Sequence, residues 1–126
     1  MQYKIDCDGE FLLVRMWGRK TDQPPSEVCA AILEGSRRLE RERILIELDQ
    51  EIPLSATSQF ALVSRLPRIG FTPRHRIALV HSTREMHEAN QFINLIAENR
   101  GIMVRNFQGR EVAKDWLREE AGGAGA

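Results

Sequence analysis

The sequence predicts an α/β domain: a five-stranded mixed sheet that opens as an antiparallel hairpin, continues in parallel strands and carries its helices mainly on one face. Three observations lead there. Asp8-Gly9 is a turn signal between two short runs of strand character, as in a tight hairpin. Beyond it, β-branched runs of strand length alternate with helix-length amphipathic segments, which is the pattern of parallel strands joined by crossovers. Finally, Arg76 to Leu117 reads as strand, helix, strand, helix, with Ile102 following Gly101 at once.

Residues 2 to 6 alternate weakly and form the first strand; Phe11 to Trp17 form the second, ended by Gly18. Asp22, Pro24 and Pro25 suit the first turn of a helix, where a missing N–H costs little. Val28, Ala31, Ile32, Gly35 and Leu39 then recur on one face to about Glu40, while Glu34, Arg37, Arg38 and Arg41 make the opposite face a solvated one. Arg43 to Leu48 is the third strand. Its connection, Asp49 to Leu54, leads to a helix that begins near Ser55, buries Phe60, Val63 and Leu66, and is expected to stop at Pro67. A basic loop, Pro67 to Arg76, returns the chain to the fourth strand, Arg76 to Val80. Ser82-Thr83-Arg84-Glu85 is a capping box. It starts a long helix striped by Met86, Ala89, Ile93, Ile96 and Ala97, and Gly101 fits the left-handed residue past its end. Ile102 to Phe107 is the fifth strand, and a short helix presses Trp116 back on the sheet.

Crossovers of one hand, each moving one strand along, wind as a (βα)n superhelix with the helices on a common face. The partial alternation of the strands agrees, since a sheet covered twice needs apolar residues on both sides of every strand. The other face is expected to show Arg15, Glu47 and Arg105 among Phe11, Leu13, Trp17, Leu45, Met103 and Phe107. So large an apolar patch needs a cover, and an isologous homodimer through those six residues is the expected one.

With 126 residues the chain is one domain, residues 1 to 120, followed by an Ala/Gly tail, residues 121 to 126. Its 18 basic and 18 acidic side chains cancel, which removes the electrostatic pull toward nucleic acid or anionic lipid. No apolar run approaches the roughly 18 residues of a membrane span, and the amino terminus has no signal core, so a cytoplasmic protein is expected. Cys7 and Cys29 have no partners at redox or zinc spacing and read as reduced thiols.

The order of elements resembles the SpoIIAA-like proteins, small domains related to the STAS anti-sigma-factor antagonists and sharing a fold with CRAL-TRIO lipid-transfer domains. The resemblance spans about residues 2 to 118. It rests on Ile77-Ala78-Leu79-Val80, on Arg100-Gly101-Ile102, and above all on the ending Asn106-Phe107-Gln108-Gly109-Arg110-Glu111-Val112-Ala113-Lys114-Asp115-Trp116-Leu117. These are packing residues. The resemblance implies a protein-interaction module in which the antagonists' partner choice is switched at a serine after the third strand, in an Asp-Ser-Ser/Thr-Gly motif. Here Asp49 to Ser58 stands in that place without the motif, and Asp49, Ser55, Thr57 and Ser58 mark the candidate partner or phospho-switch region. A phosphate at that helix start would meet the positive end of the dipole; the plainer role for one of the hydroxyls is an N-cap.

Ligands of open α/β sheets collect beyond the carboxyl ends of the parallel strands, which here means Asp49, then His81 with Ser82, then Phe107 with Gln108. Asp49, His81 and Ser82 can be sketched as a hydrolytic trio, but no nucleophile elbow surrounds the serine. His75, His81 and His87 lack metal-site spacing, and no glycine-rich phosphate loop exists. No catalytic, cofactor or metal residue is therefore assigned. The basic loop with Arg65, Arg68, Arg74 and Arg76 around Ile69 and Phe71 is a grip for an acidic surface or, more simply, a long connection pinned by its two apolar residues, its arginines in water or paired with Glu47, Asp49 and Glu51. The function expected is a non-enzymatic regulatory or protein-interaction module. The alternatives are a binder of a small apolar or lipid-like ligand and, last, an enzyme using His81.

Overall fold

The computed structural model describes residues 2–18, 25–50, 56–81, 84 and 92–119. The elements are β1 (Gln2–Asp8), β2 (Phe11–Gly18), α1 (Pro25–Arg38), β3 (Arg43–Gln50), α2 (Ala56–Ile69), β4 (Arg76–His81), α3 (Phe92–Asn99), β5 (Met103–Phe107) and α4 (Arg110–Arg118). The strands lie in the order β1-β2-β3-β4-β5. β1 and β2 are antiparallel, and β2 to β5 are parallel to one another. The expected α/β class and mixed sheet are both present.

The hairpin closes with Asp8 opposite Phe11, so its loop is Gly9-Glu10, one residue beyond the Asp-Gly pair. Gly9 has φ +62° while Glu10 stays at negative φ, the combination that type II′ turns need. α1 ends in a Schellman motif: Arg41 N–H donates to Ser36 O at 2.9 Å and Glu40 N–H to Arg37 O at 3.3 Å. Glu40 takes the left-handed position there, at φ +54°. α3 ends the same way with Gly101 at φ +69° and Ile102 N–H donating to Ala97 O at 2.9 Å, as its sequence predicts. α2 runs through Pro67 to Ile69, contrary to the expected stop. In the last turn the proline gives up only one intrahelical bond, and Gly70 and Phe71 N–H still reach back to Leu66 O. At φ +128°, Gly70 lies where a Cβ would come within 2.8 Å of Leu33 Cδ2, so this turn between α2 and β4 needs glycine.

Side chains alternate between the two faces of each strand. Leu12 and Val14, Ile44 and Ile46, Ile77, and Val104 share the face on which α1, α2 and α3 lie, packed with Val28, Ile32, Val63, Leu66, Ile93 and Ala97. Successive one-strand moves of one hand explain why three helices share it. The second face departs from expectation. α4 lies across it and seals a separate core in which Phe11, Leu45 and Ala78 of the sheet meet Ala113, Trp116 and Leu117. Among the described residues no strand follows β5, so α4 is not held to the crossover side, and its stripe takes the apolar surface left over. Of the six residues expected to form a dimer face, Phe11 and Leu45 are therefore buried within the chain, while Leu13 and Phe107 pack at the margin of this core. Trp17 and Met103 are exposed, but at opposite corners of the sheet.

α2 starts at Ala56, next to the expected start near Ser55, while Ser55 itself, the Ser82–Glu85 capping box apart from Arg84, Met86, His87, Ala89 and the tail lie outside the described residues.

Candidate functional site

The carboxyl ends of the parallel strands present two different surfaces. On the side of α1 to α3, β4 ends in His81, which is 2% exposed. His81 Nε2 is 2.7 Å from Asn106 Oδ1 on β5. Asn106 in turn donates through Nδ2 and its backbone N–H to Asn94 Oδ1 of α3, at 3.1 Å and 2.8 Å. Because Asn106 spends its amide nitrogen on Asn94, its oxygen faces the imidazole and His81 donates from Nε2. A buried polar group must be paired; this chain of three side chains ties α3 to the rim of the sheet. Asn94 and Asn106 escape a search for catalytic types. Their signal is a polar residue on each of two otherwise apolar stripes.

Asp49 follows Glu47 on β3 and points to the second face, opposite to His81, whose register neighbour Leu48 lies on the first. The sketched trio thus loses its acid by geometry, and Ser82 lies outside the described residues. Ser55 also lies outside them; Thr57 and Ser58 fall in the first turn of α2. Among the described residues no three His, Cys, Asp or Glu side chains converge as a metal site would require.

On the second face, the carboxyl half of β2 and β3 carries Arg15, Trp17, Glu47 and Asp49. Glu47 is held by Arg110 at the start of α4, Nη2 to Oε2 at 2.6 Å, and this bond raises the arginine's pKa above its already high value. Arg15 and Asp49 are exposed, and Trp17 stands directly opposite Asp49 in the register with 39% of its surface in solvent. α4 does not reach this corner, since from Arg110 it runs back toward the amino ends of the strands, where Arg76 bonds to the Glu119 backbone oxygen.

The basic loop is pinned, as the simpler reading expects. Phe71 is buried and Ile69 packs against the main core, while Arg74 pairs with Glu42 at 3.5 Å and Arg76 with Glu119 at 3.8 Å rather than with acids of β3. His75 is buried edge-on against Phe71, ring centroids 5.3 Å apart, and its Nδ1 accepts from Thr72 N–H at 3.1 Å. Burial lowers its pKa, helped by Arg37 and Arg74 against the pull of Glu42. Cys7 is exposed and Cys29 partly buried; burial pushes the Cys29 thiol up to about 11.

No helix among the described residues is long and apolar enough to cross a membrane. No protein-family model matches the chain, and no curated protein matches it.

Proposed function

We propose that this chain is a non-enzymatic protein-interaction module of the SpoIIAA-like type, and that its partner docks on the carboxyl corner of β2 and β3. One observation carries the reading: Trp17, a large aromatic side chain left 39% exposed, stands beside exposed Asp49 where β3 leaves the sheet for α2. Tryptophan supplies the apolar anchor on which binding hot spots are built, and flanking charges set orientation and register. Arg15 and Asp49 supply those charges. The polar groups at the carboxyl ends of β4 and β5, on the other sheet face, are already committed to structure, His81 to Asn106 and Asn106 to Asn94, which favours recognition over chemistry. The candidate phospho-switch residues Thr57 and Ser58 belong to α2, the next described element after β3, where a phosphate would add negative charge at the helix's first turn.

The test compares proteins co-purified with the wild-type chain and with Trp17→Ala and Asp49→Lys, after circular dichroism has shown that both variants fold. Loss of the same protein from both variants supports the corner. Retention of every co-purified protein by both variants refutes it.

A further inference from the structure

We propose that the outer edge of β1 pairs with the same edge of a second copy of this chain, antiparallel about a two-fold axis at Ile5, so that two five-stranded sheets become one. The inference is independent of the partner at Trp17, which lies on the sheet face and not on its edge.

The two edges of the sheet differ. Along β5 the backbone N–H of Val104 donates to Ile102 O at 3.2 Å and that of Asn106 to Asn94 Oδ1 at 2.8 Å. Those are donors that an added strand would need, so this edge is closed. β1 is the other edge and offers seven residues without proline. Among the described residues nothing bonds to its outer backbone groups. An open edge of this length is a template for another strand, and proteins that stay single usually guard it.

The charges on β1 guard it against most partners and not against itself. Lys4, Asp6 and Asp8 share one face of the strand, all exposed, with Lys4 Nζ 3.5 Å from Asp6 Oδ2. A two-fold axis normal to the sheet keeps both faces continuous, so only residues of the same face can oppose one another. Centring the pair on Lys4 sets two ammonium groups together, and centring it on Asp6 sets two carboxylates together. Centring it on Ile5 places Lys4 of each copy opposite Asp6 of the other, twice. Opposite charges directly across a ladder stabilise it and like charges oppose it. The same register puts Ile5 against Ile5 and Tyr3 against Cys7 on the helix side, where Tyr3 and Ile5 already pack at the margin of the main core.

Sedimentation equilibrium reads the outcome. The wild-type chain is expected at twice its 14.4 kDa mass, Lys4→Asp and Asp6→Lys each at the single mass with unchanged circular dichroism, and the double reversal back at twice the mass. In a Cys7→Ser, Cys29→Ser background, Ile5→Cys is expected to form a disulfide dimer and Tyr3→Cys none. A wild-type chain that stays single at every concentration overturns the proposal. So does a dimer that survives both single reversals, a double reversal that stays single, or cross-linking through Tyr3→Cys and not Ile5→Cys.

Discussion

The guanidinium of Arg76 lies over the indole of Trp116, its carbon 4.6 Å from the ring centroid. Arg76, the first residue of β4, is 3% exposed, and it also bonds to Glu119 just past the end of α4. Stacking on a tryptophan face offsets part of the cost of burying this cation, and the link closes the carboxyl end of α4 onto the amino end of β4. Phe107 meets the same indole at 5.6 Å. Trp116 is thus the piece that turns an exposed sheet face into a second core.

Trp116→Ala is expected to destabilise the fold by about 3 to 5 kcal/mol, the usual cost of deleting a buried aromatic side chain, and to expose Phe11 and Leu45. Urea denaturation measures it. A loss below about 1 kcal/mol would mean that α4 does not seal the second face.

Glu40 and Gly101 occupy the same position in two Schellman motifs, and only one of them is glycine. A left-handed conformation costs a side-chain-bearing residue roughly 1 to 2 kcal/mol, partly offset by the greater unfolded-state freedom of glycine. Glu40→Gly is therefore expected to raise stability by up to about 1 kcal/mol and Gly101→Ala to lower it by a similar amount. Thermal melts of the two variants check both signs.

His75 gives the fold a pH dependence of defined sign. Burial lowers its pKa in the folded state below the unfolded value of about 6.5, so the unfolded chain binds the proton more readily. Its contribution is complete above that unfolded value and is lost as pH falls below it toward the folded pKa. Denaturation between about pH 7.5 and 5.5 should show stability falling, with a shallower fall in His75→Gln.

Cys7 and Cys29 should separate by reactivity. The thiolate is the nucleophile, and Cys29 has its pKa raised to about 11 by burial while Cys7 is exposed. A thiol reagent at neutral pH is expected to label Cys7 fast and Cys29 only after denaturation, as peptide mass spectrometry would show. Equal rates in the folded chain would contradict the burial of Cys29.

Much of the fold is legible in the residues. Strands β2 to β5 are announced by β-branched or apolar runs and β1 only by a weak alternation, the hairpin by Asp8-Gly9, and the end of α3 by Gly101, because these signals are local. The side on which α4 packs is not local. Ala113, Trp116 and Leu117 show that the helix has a stripe but not which of two apolar surfaces receives it, so in the sequence Phe11 and Leu45 read as available to a second copy. Pro67 misled for a related reason: its local rule predicts a stop, while the bonds back to Leu66 carry the helix on. The site is less legible. His81 was visible as a residue type, but its role depends on Asn94 and Asn106, distant in sequence and brought to it by the crossover.

The central claim is that Trp17 and Asp49 form a docking corner for another protein. Incorporating a photo-cross-linking amino acid at position 17, with position 112 as the exposed control on α4, tests it most directly. Irradiation in a lysate is predicted to give a discrete adduct between this chain and a different protein from position 17, and none from position 112. No adduct at position 17, or the same adducts from both positions, would contradict the account.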